Sequence, residues 1–134
     1  MSDPWNVGDT IAAADRLITR ETLVRYAGAS GDFNPIHYRD DVATAAGLPG
    51  VIAHGMLTMG IAVGVLEDAL GDPSRIREVG CRFARPVIVD PEHGVLLHVE
   101  AQVTSLQQDS AVVALSVTVG GQSVLVKARA TVQL

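Results

Sequence analysis

The sequence predicts an α+β domain in which an antiparallel sheet wraps one long, apolar helix. Three observations carry this. The stretch from about His54 to Leu70 is apolar nearly all round and long enough for about 25 Å of helix. The C-terminal half reads as successive runs of alternating polarity. These runs are joined by short turn signals, the strongest being Gly120-Gly121. Strands joined by short turns pair antiparallel, and an all-apolar helix needs to be surrounded.

The elements follow in order. "VGDTI" (7–11) reads as a short first strand or the approach to one. Residues 18–27 read as a helix with Thr19 as N-cap, Thr22 at the third position, Leu23, Tyr26 and Ala27 on its apolar face, and Gly28 as its end. The polar stretch "SGDFNPIH" (30–37) has neither helical nor strand period. Residues 38–46 read as one or two helical turns ending at Gly47, with Pro49 blocking continuation. The long helix follows, with Gly60 and Gly64 four apart, and "GDP" (71–73) terminates it. Strands are expected over 77–83 (running into 85–87), 95–103, 111–119 and 123–132. Val95, Leu97, Val99, Ala101 and Val103 share one face, as do Val113, Leu115, Val117 and Val119. Such a sheet has open edges, and edge-to-edge pairing predicts a dimer.

Composition narrows the function classes. A chain of 134 residues fits one domain with a sizeable core. It is 48% hydrophobic but only 4% aromatic, so Val, Leu, Ile and Ala must fill that core. A net charge of −5 without a basic cluster argues against nucleic-acid binding. The single Cys81 excludes an internal disulfide framework, and with no signal-peptide pattern at the start it points to a reducing, cytoplasmic setting. The uncharged run from Gly55 to Leu66 falls short of the roughly 20 residues a membrane span needs. No glycine-rich phosphate motif and no metal-ligand spacing is present, so neither a metal nor a cofactor is expected. Met56 and Met59 read as core, Cys81 as buried filler, and His93 and His98 as surface residues.

The 30–37 stretch sets a carboxylate, Asp32, five residues before an imidazole, His37. Five extended residues reach roughly 17 Å, so the two meet only if the chain doubles back. Asn34-Pro35 and Gly31 suit a tight turn. On residue types alone, a plain solvated turn is the stronger reading and an active site the weaker.

A resemblance reverses that order. "YAGASGDFNPIH" (26–37), five residues before Ala43, resembles the hydratase 2 motif of the MaoC-like, R-specific enoyl-thioester hydratases, which have the hot-dog fold. "IAHGML" (52–57) and "RFARPV" (82–87) are also similar to that family, so the likeness runs through most of residues 1–134, as one MaoC-like hot-dog domain. "HGMLTMG" (54–60) is especially similar to the catalytic B subunits of mycobacterial (3R)-hydroxyacyl-carrier-protein dehydratases. The resemblance implies a hydro-lyase interconverting trans-2-enoyl and (3R)-3-hydroxyacyl thioesters on CoA or acyl carrier protein. It implies Asp32 and His37 as the dyad that holds the water, and the N–H of Gly55 as oxyanion donor. Carboxylate and imidazole side chains ordinarily titrate near about 3.9 and 6.5, so such a pair can divide base and acid work.

Ser30, Asn34 and His54 are implied as supporting residues, Asn34 by locking the loop. His54 either orients this corner or is an ordinary helix-start residue. Arg82 and Arg85 are either solvated strand charges or ligands for the phosphates of a pantetheine carrier. The sequence departs from some of these hydratases at Val63, where they carry a serine near the site. Two further readings compete: a catalytic subunit that pairs with a related hot-dog subunit, and a hot-dog thioesterase. The latter places its acidic residue on the long helix, but here Glu67 and Asp68 lie at that helix's far end.

Overall fold

A computed structural model describes residues 5–134. Strand β1 (Thr10–Ile18) leads into helix α1 (Arg20–Ser30), a 3-10 turn (Pro35–His37), the short helix α2 (Asp40–Ala45) and the long helix α3 (Gly55–Leu70). Strands β2 (Ile76–Phe83), β3 (Val95–Leu106), β4 (Ser110–Val119), β5 (Gln122–Ser123) and β6 (Leu125–Gln133) complete the chain. The sheet runs in the order β1-β3-β4-β6-β2, every pair antiparallel, with β5 attached to β4 alone. This is the α+β, hot-dog arrangement expected.

The core lies between α3 and the concave face of the sheet. Leu97, Val99, Ala101 and Val103 of β3 alternate inward, as do Val113, Leu115 and Val117 of β4. They meet Ala62, Val65 and Leu66 of α3. Truncating a fully buried side chain such as Leu66 or Leu97 to alanine costs about 2–5 kcal/mol, from lost burial plus the cavity left behind.

Three readings need correction. The first strand is nine residues long, not a brief segment at 7–11. Its Ala12-Ala13-Ala14 run favours helix by propensity, and pairing along β3 overrides that preference. Helix α1 passes through Gly28 and stops at Gly31, whose φ of 76° supplies the left-handed cap. At its other end, Thr19 and Thr22 form a reciprocal capping box without a Glu. Finally, α3 is covered on one side rather than surrounded. A single sheet has one concave face, so Met56 remains 57% exposed and Gly60 lies open.

Two staples place the segment before α3. The N–H of Ala53 bonds Val87 O at 2.9 Å, and Val89 N–H bonds Val51 O at 3.0 Å. On the other side, Ile52 N–H bonds Ile36 O at 3.2 Å. The start of α3 is thereby clamped between the 30–37 loop and the chain leaving β2. Among the described residues, no helix is long and apolar enough to cross a membrane.

Candidate active site

The 30–37 loop folds by a chain of short-range bonds from polar side chains. Ser30 Oγ accepts from Asp32 N–H at 3.1 Å, and Asp32 Oδ1 accepts from Asn34 N–H at 3.2 Å. Asn34 Oδ1 in turn accepts from Ile36 N–H at 3.2 Å and caps the 3-10 turn, with Pro35 in its first turn. Each is a side chain mimicking a backbone turn partner two residues on. The result brings Asp32 Oδ2 to 4.0 Å from His37 Nε2.

The tautomer of His37 follows from its other nitrogen. Nδ1 lies 2.7 Å from the carbonyl oxygen of Ile52, which only accepts, so Nδ1 carries the proton. In the neutral ring, Nε2 therefore offers a lone pair on the side of Asp32. A gap of 4.0 Å is too long for a direct hydrogen bond. It suits one bridging water: two legs of about 2.8 Å span it at an angle of about 91°.

His54 is the N-cap of α3 and is buried. Its ring stacks on His37 with centroids 3.7 Å apart and planes at 21°, and Tyr26 meets it edge-on at 4.8 Å. Burial lowers its pKa, which the Asp32 carbonyl counters and neighbouring His37 reinforces. Its Nε2 lies 3.1 Å from the main-chain oxygen of Asp32, so its one proton is spent there. His54 thus joins the start of α3 to the 30–37 loop through the Asp32 carbonyl and the His37 ring.

Donor atoms of Asp32, His37 and His54 lie within 4.8 Å of one another, a cluster that residue spacing did not reveal. The stacking decides its use. Imidazole lone pairs lie in the ring plane, and two stacked rings aim them along nearly parallel lines. Such lines do not converge on an ion about 2.0–2.1 Å from each nitrogen. The cluster is built for hydrogen bonding.

Gly55 and Met56 precede the first backbone donors of α3. Those are Leu57 and Thr58, whose N–H groups reach His54 O at 3.1 and 3.2 Å. The N–H of Gly55 is therefore one of the free donors at a helix start, where negative charge is favoured. A Cβ on Gly55 would sit 3.0 Å from Cδ1 and Cε1 of Phe83. A side chain here would press on the Phe83 ring.

Asp32, His54 and Gly55 line one cavity of about 450 Å³ together with Thr58, Arg85 and mainly apolar side chains, including Met56, Phe83 and Leu125. His37, buried against His54, is not among its lining residues. The two arginines separate: Arg85 lines the cavity and donates from Nη1 to Gln122 Oε1 at 2.7 Å, whereas Arg82 is exposed on β2 and does not line it. Val63 packs against the core and does not line the cavity either, so the missing serine alters no contact there.

Cys81 is half-buried, its Sγ 3.6 Å from Met59 Sδ, and burial pushes the thiol pKa up, away from nucleophile behaviour. His93 and His98 are exposed as expected, His98 paired with Asp15 at 2.7 Å. Thr58, Phe83 and the Ile52 carbonyl were not anticipated. The rarity of aromatics is the one signal for Phe83: the chain has two phenylalanines, and both remain more than half exposed beside this site.

An antiparallel sheet packed on a central helix, with a carboxylate and an imidazole facing each other beside the helix start, defines a hot-dog domain. The model of the MaoC like domain matches residues 5–122, and the chain belongs to that family. It is 39% identical over 83 residues to 3-hydroxyacyl-thioester dehydratase X of Mycobacterium tuberculosis, a match covering 62% of this chain and 29% of that protein. It is 36% identical over 78 residues to a probable enoyl-CoA hydratase 2 of Dictyostelium discoideum, covering 57% of this chain and 26% of that one. The chain thus spans less than a third of the length of these relatives. Among solved structures, a MaoC-like dehydratase superposes with a TM-score of 0.94 at 34% identity, covering 98% of this chain and 41% of that one. The (R)-hydratase from A. caviae involved in PHA biosynthesis superposes at 0.86 with 26% identity and 99% coverage of both.

Proposed function

We propose that this chain is a hydro-lyase interconverting trans-2-enoyl and (3R)-3-hydroxyacyl thioesters carried on CoA or acyl carrier protein. The observation that carries the reading is the 4.0 Å gap between Asp32 Oδ2 and His37 Nε2, with His37 held in one tautomer by Ile52. The names of its relatives support the same chemistry.

In the hydration direction, a water in that gap attacks C3 of the enoyl thioester. His37 Nε2 takes the water's proton as the C3–O bond forms, and Asp32 orients the water and stabilises the imidazolium. Electron density moves from the C2–C3 double bond onto the thioester oxygen, where the Gly55 N–H meets it. The imidazolium then returns its proton to C2, so one proton and one hydroxide are added and the histidine is regenerated. Dehydration runs the same steps backwards. The apolar lining accepts the acyl chain, and Arg85, which also lines the cavity, is the side chain proposed for a carrier phosphate.

The test is hydration of crotonyl-CoA or an enoyl-carrier-protein, followed by loss of enoyl absorbance. Asp32→Asn and His37→Ala should each nearly abolish it in folded protein, and wild-type turnover in both would sink the assignment. A dimer, of like or related subunits, follows from the open edges at β1 and β2 and the uncovered Met56 side of α3. Light scattering on the purified chain tests it, and an active monomer refutes it. Thioesterase chemistry finds no support in the placement of acids: Asp68 pairs with Arg16 at 3.2 Å, and neither it nor Glu67 lines the cavity.

A further inference from the structure

The first turn of α3 holds two buried polar atoms with no hydrogen-bond partner among the described residues, His54 Nδ1 and Thr58 Oγ1. Both residues are 2% exposed. An unpaired buried polar atom is costly, and two of them four residues apart are a pair to be explained together. Their chemistry is complementary. His54 gives its one proton to Asp32 O through Nε2, so Nδ1 only accepts. Thr58 has a hydroxyl proton to give.

Their placement is complementary too. Residues four apart lie on one helix face, and helix side chains lean toward the N-terminus, so the Thr58 hydroxyl leans toward the turn that His54 opens. Threonine in a helix divides between two χ1 wells, so a change of well swings the hydroxyl without disturbing the backbone.

We propose that Thr58 is a positioning residue: its hydroxyl donates to His54 Nδ1 and holds His54 as the Nε2–H tautomer that grips the Asp32 carbonyl. Thr58 then acts on the dyad through His54, which stacks on His37 and fixes the main chain of Asp32. Were the proton on Nδ1 instead, two lone pairs, Nε2 and Asp32 O, would face each other at 3.1 Å. The catalytic consequence rests on the hydro-lyase reading above; the tautomer does not.

The experiment therefore has two readouts. In 15N-histidine-labelled wild-type protein, His54 should show a protonated Nε2 and an Nδ1 resonance moved upfield of a free imine nitrogen by an accepted hydrogen bond. Thr58→Val, which keeps the shape and removes the donor, should move Nδ1 to the free-imine position or mix the tautomers. Thr58→Ser should restore the wild-type pattern. In hydration assays Thr58→Val should lower kcat about 10- to 100-fold with KM within twofold, as small misplacements of reacting groups do, and Thr58→Ser should recover most of it. A free-imine Nδ1 in the wild type overturns the proposal, even if the valine variant fails to fold. So does a Thr58→Val effect confined to KM, which would make Thr58 a substrate contact. A wild type without hydratase activity but with the predicted tautomer fails the functional reading and leaves the positioning role standing.

Discussion

Gly55→Ala separates folding from catalysis at a single atom. The added Cβ would stand 3.0 Å from two carbons of the Phe83 ring, against ordinary carbon–carbon contacts of about 3.5–4.0 Å. The ring must retreat by a few tenths of an ångström. Phe83 is 52% exposed, so it can swing outward at little cost. Alanine is also favoured over glycine within a helix by up to about 1 kcal/mol. The two effects oppose each other, and the melting temperature should stay within a few degrees of wild type. Turnover should not. The methyl group stands beside the N–H assigned to the developing thioester oxyanion, and losing one such donor costs about 10²–10³ in kcat, or about 2.7–4 kcal/mol. The assay is crotonyl-CoA hydration alongside a thermal melt, repeated with Gly55→Ala/Phe83→Ala. The double variant should stay within about threefold of Gly55→Ala, because the methyl, and not the displaced ring, obstructs the donor. Wild-type turnover in folded Gly55→Ala refutes the oxyanion assignment. Full recovery in the double variant refutes the steric argument and assigns the loss to the ring.

His54 has its pKa lowered by burial, so its contribution to stability is complete above the ordinary value of about 6.5 and is lost as pH falls toward the folded value. The melting temperature should therefore drop as pH falls below about 6.5, and His54→Gln should flatten that slope; an unchanged slope rejects it. Asp40 is held below the usual carboxylate range by the Arg20 guanidinium and the Val51 N–H. Its contribution is present above the ordinary carboxylate pKa and is lost on acidification through the folded value, so Asp40→Asn should reduce the acid sensitivity of unfolding below about pH 4. Lys127 is exposed with φ of 52°, where β6 carries an extra residue opposite Gly80–Arg82 of β2. Glycine suits that left-handed bulge position, so Lys127→Gly should add about 0.5–1 kcal/mol and raise Tm by about 2–4 °C; a lower Tm would show that the bulge is not strained.

Residue order alone was enough for the strands of the C-terminal half, because alternation such as Leu97-Val99-Ala101-Val103 is a local signal that survives folding unchanged. It also carried the long helix, the Thr19 cap, and the loop whose Ser30, Asp32 and Asn34 side chains bond their own neighbours. It misjudged β1, whose alanines favour a helix until β3 pairs with them, and the end of α1, where a backbone angle rather than the nearest glycine sets the stop.

What tertiary structure alone decided are contacts between residues distant in the chain. The Ile52 carbonyl that selects the tautomer of His37 lies 15 residues away, and the Asp32 carbonyl that engages His54 lies 22 away. Phe83 reaches Gly55 from the opposite edge strand of the sheet, and Arg85 parts company with Arg82 only when the chain leaves β2. Sequence determines which chemical groups exist and how the chain bends locally. Which lone pair faces which proton depends on where separate segments are clamped together, and that is a property of the packed fold.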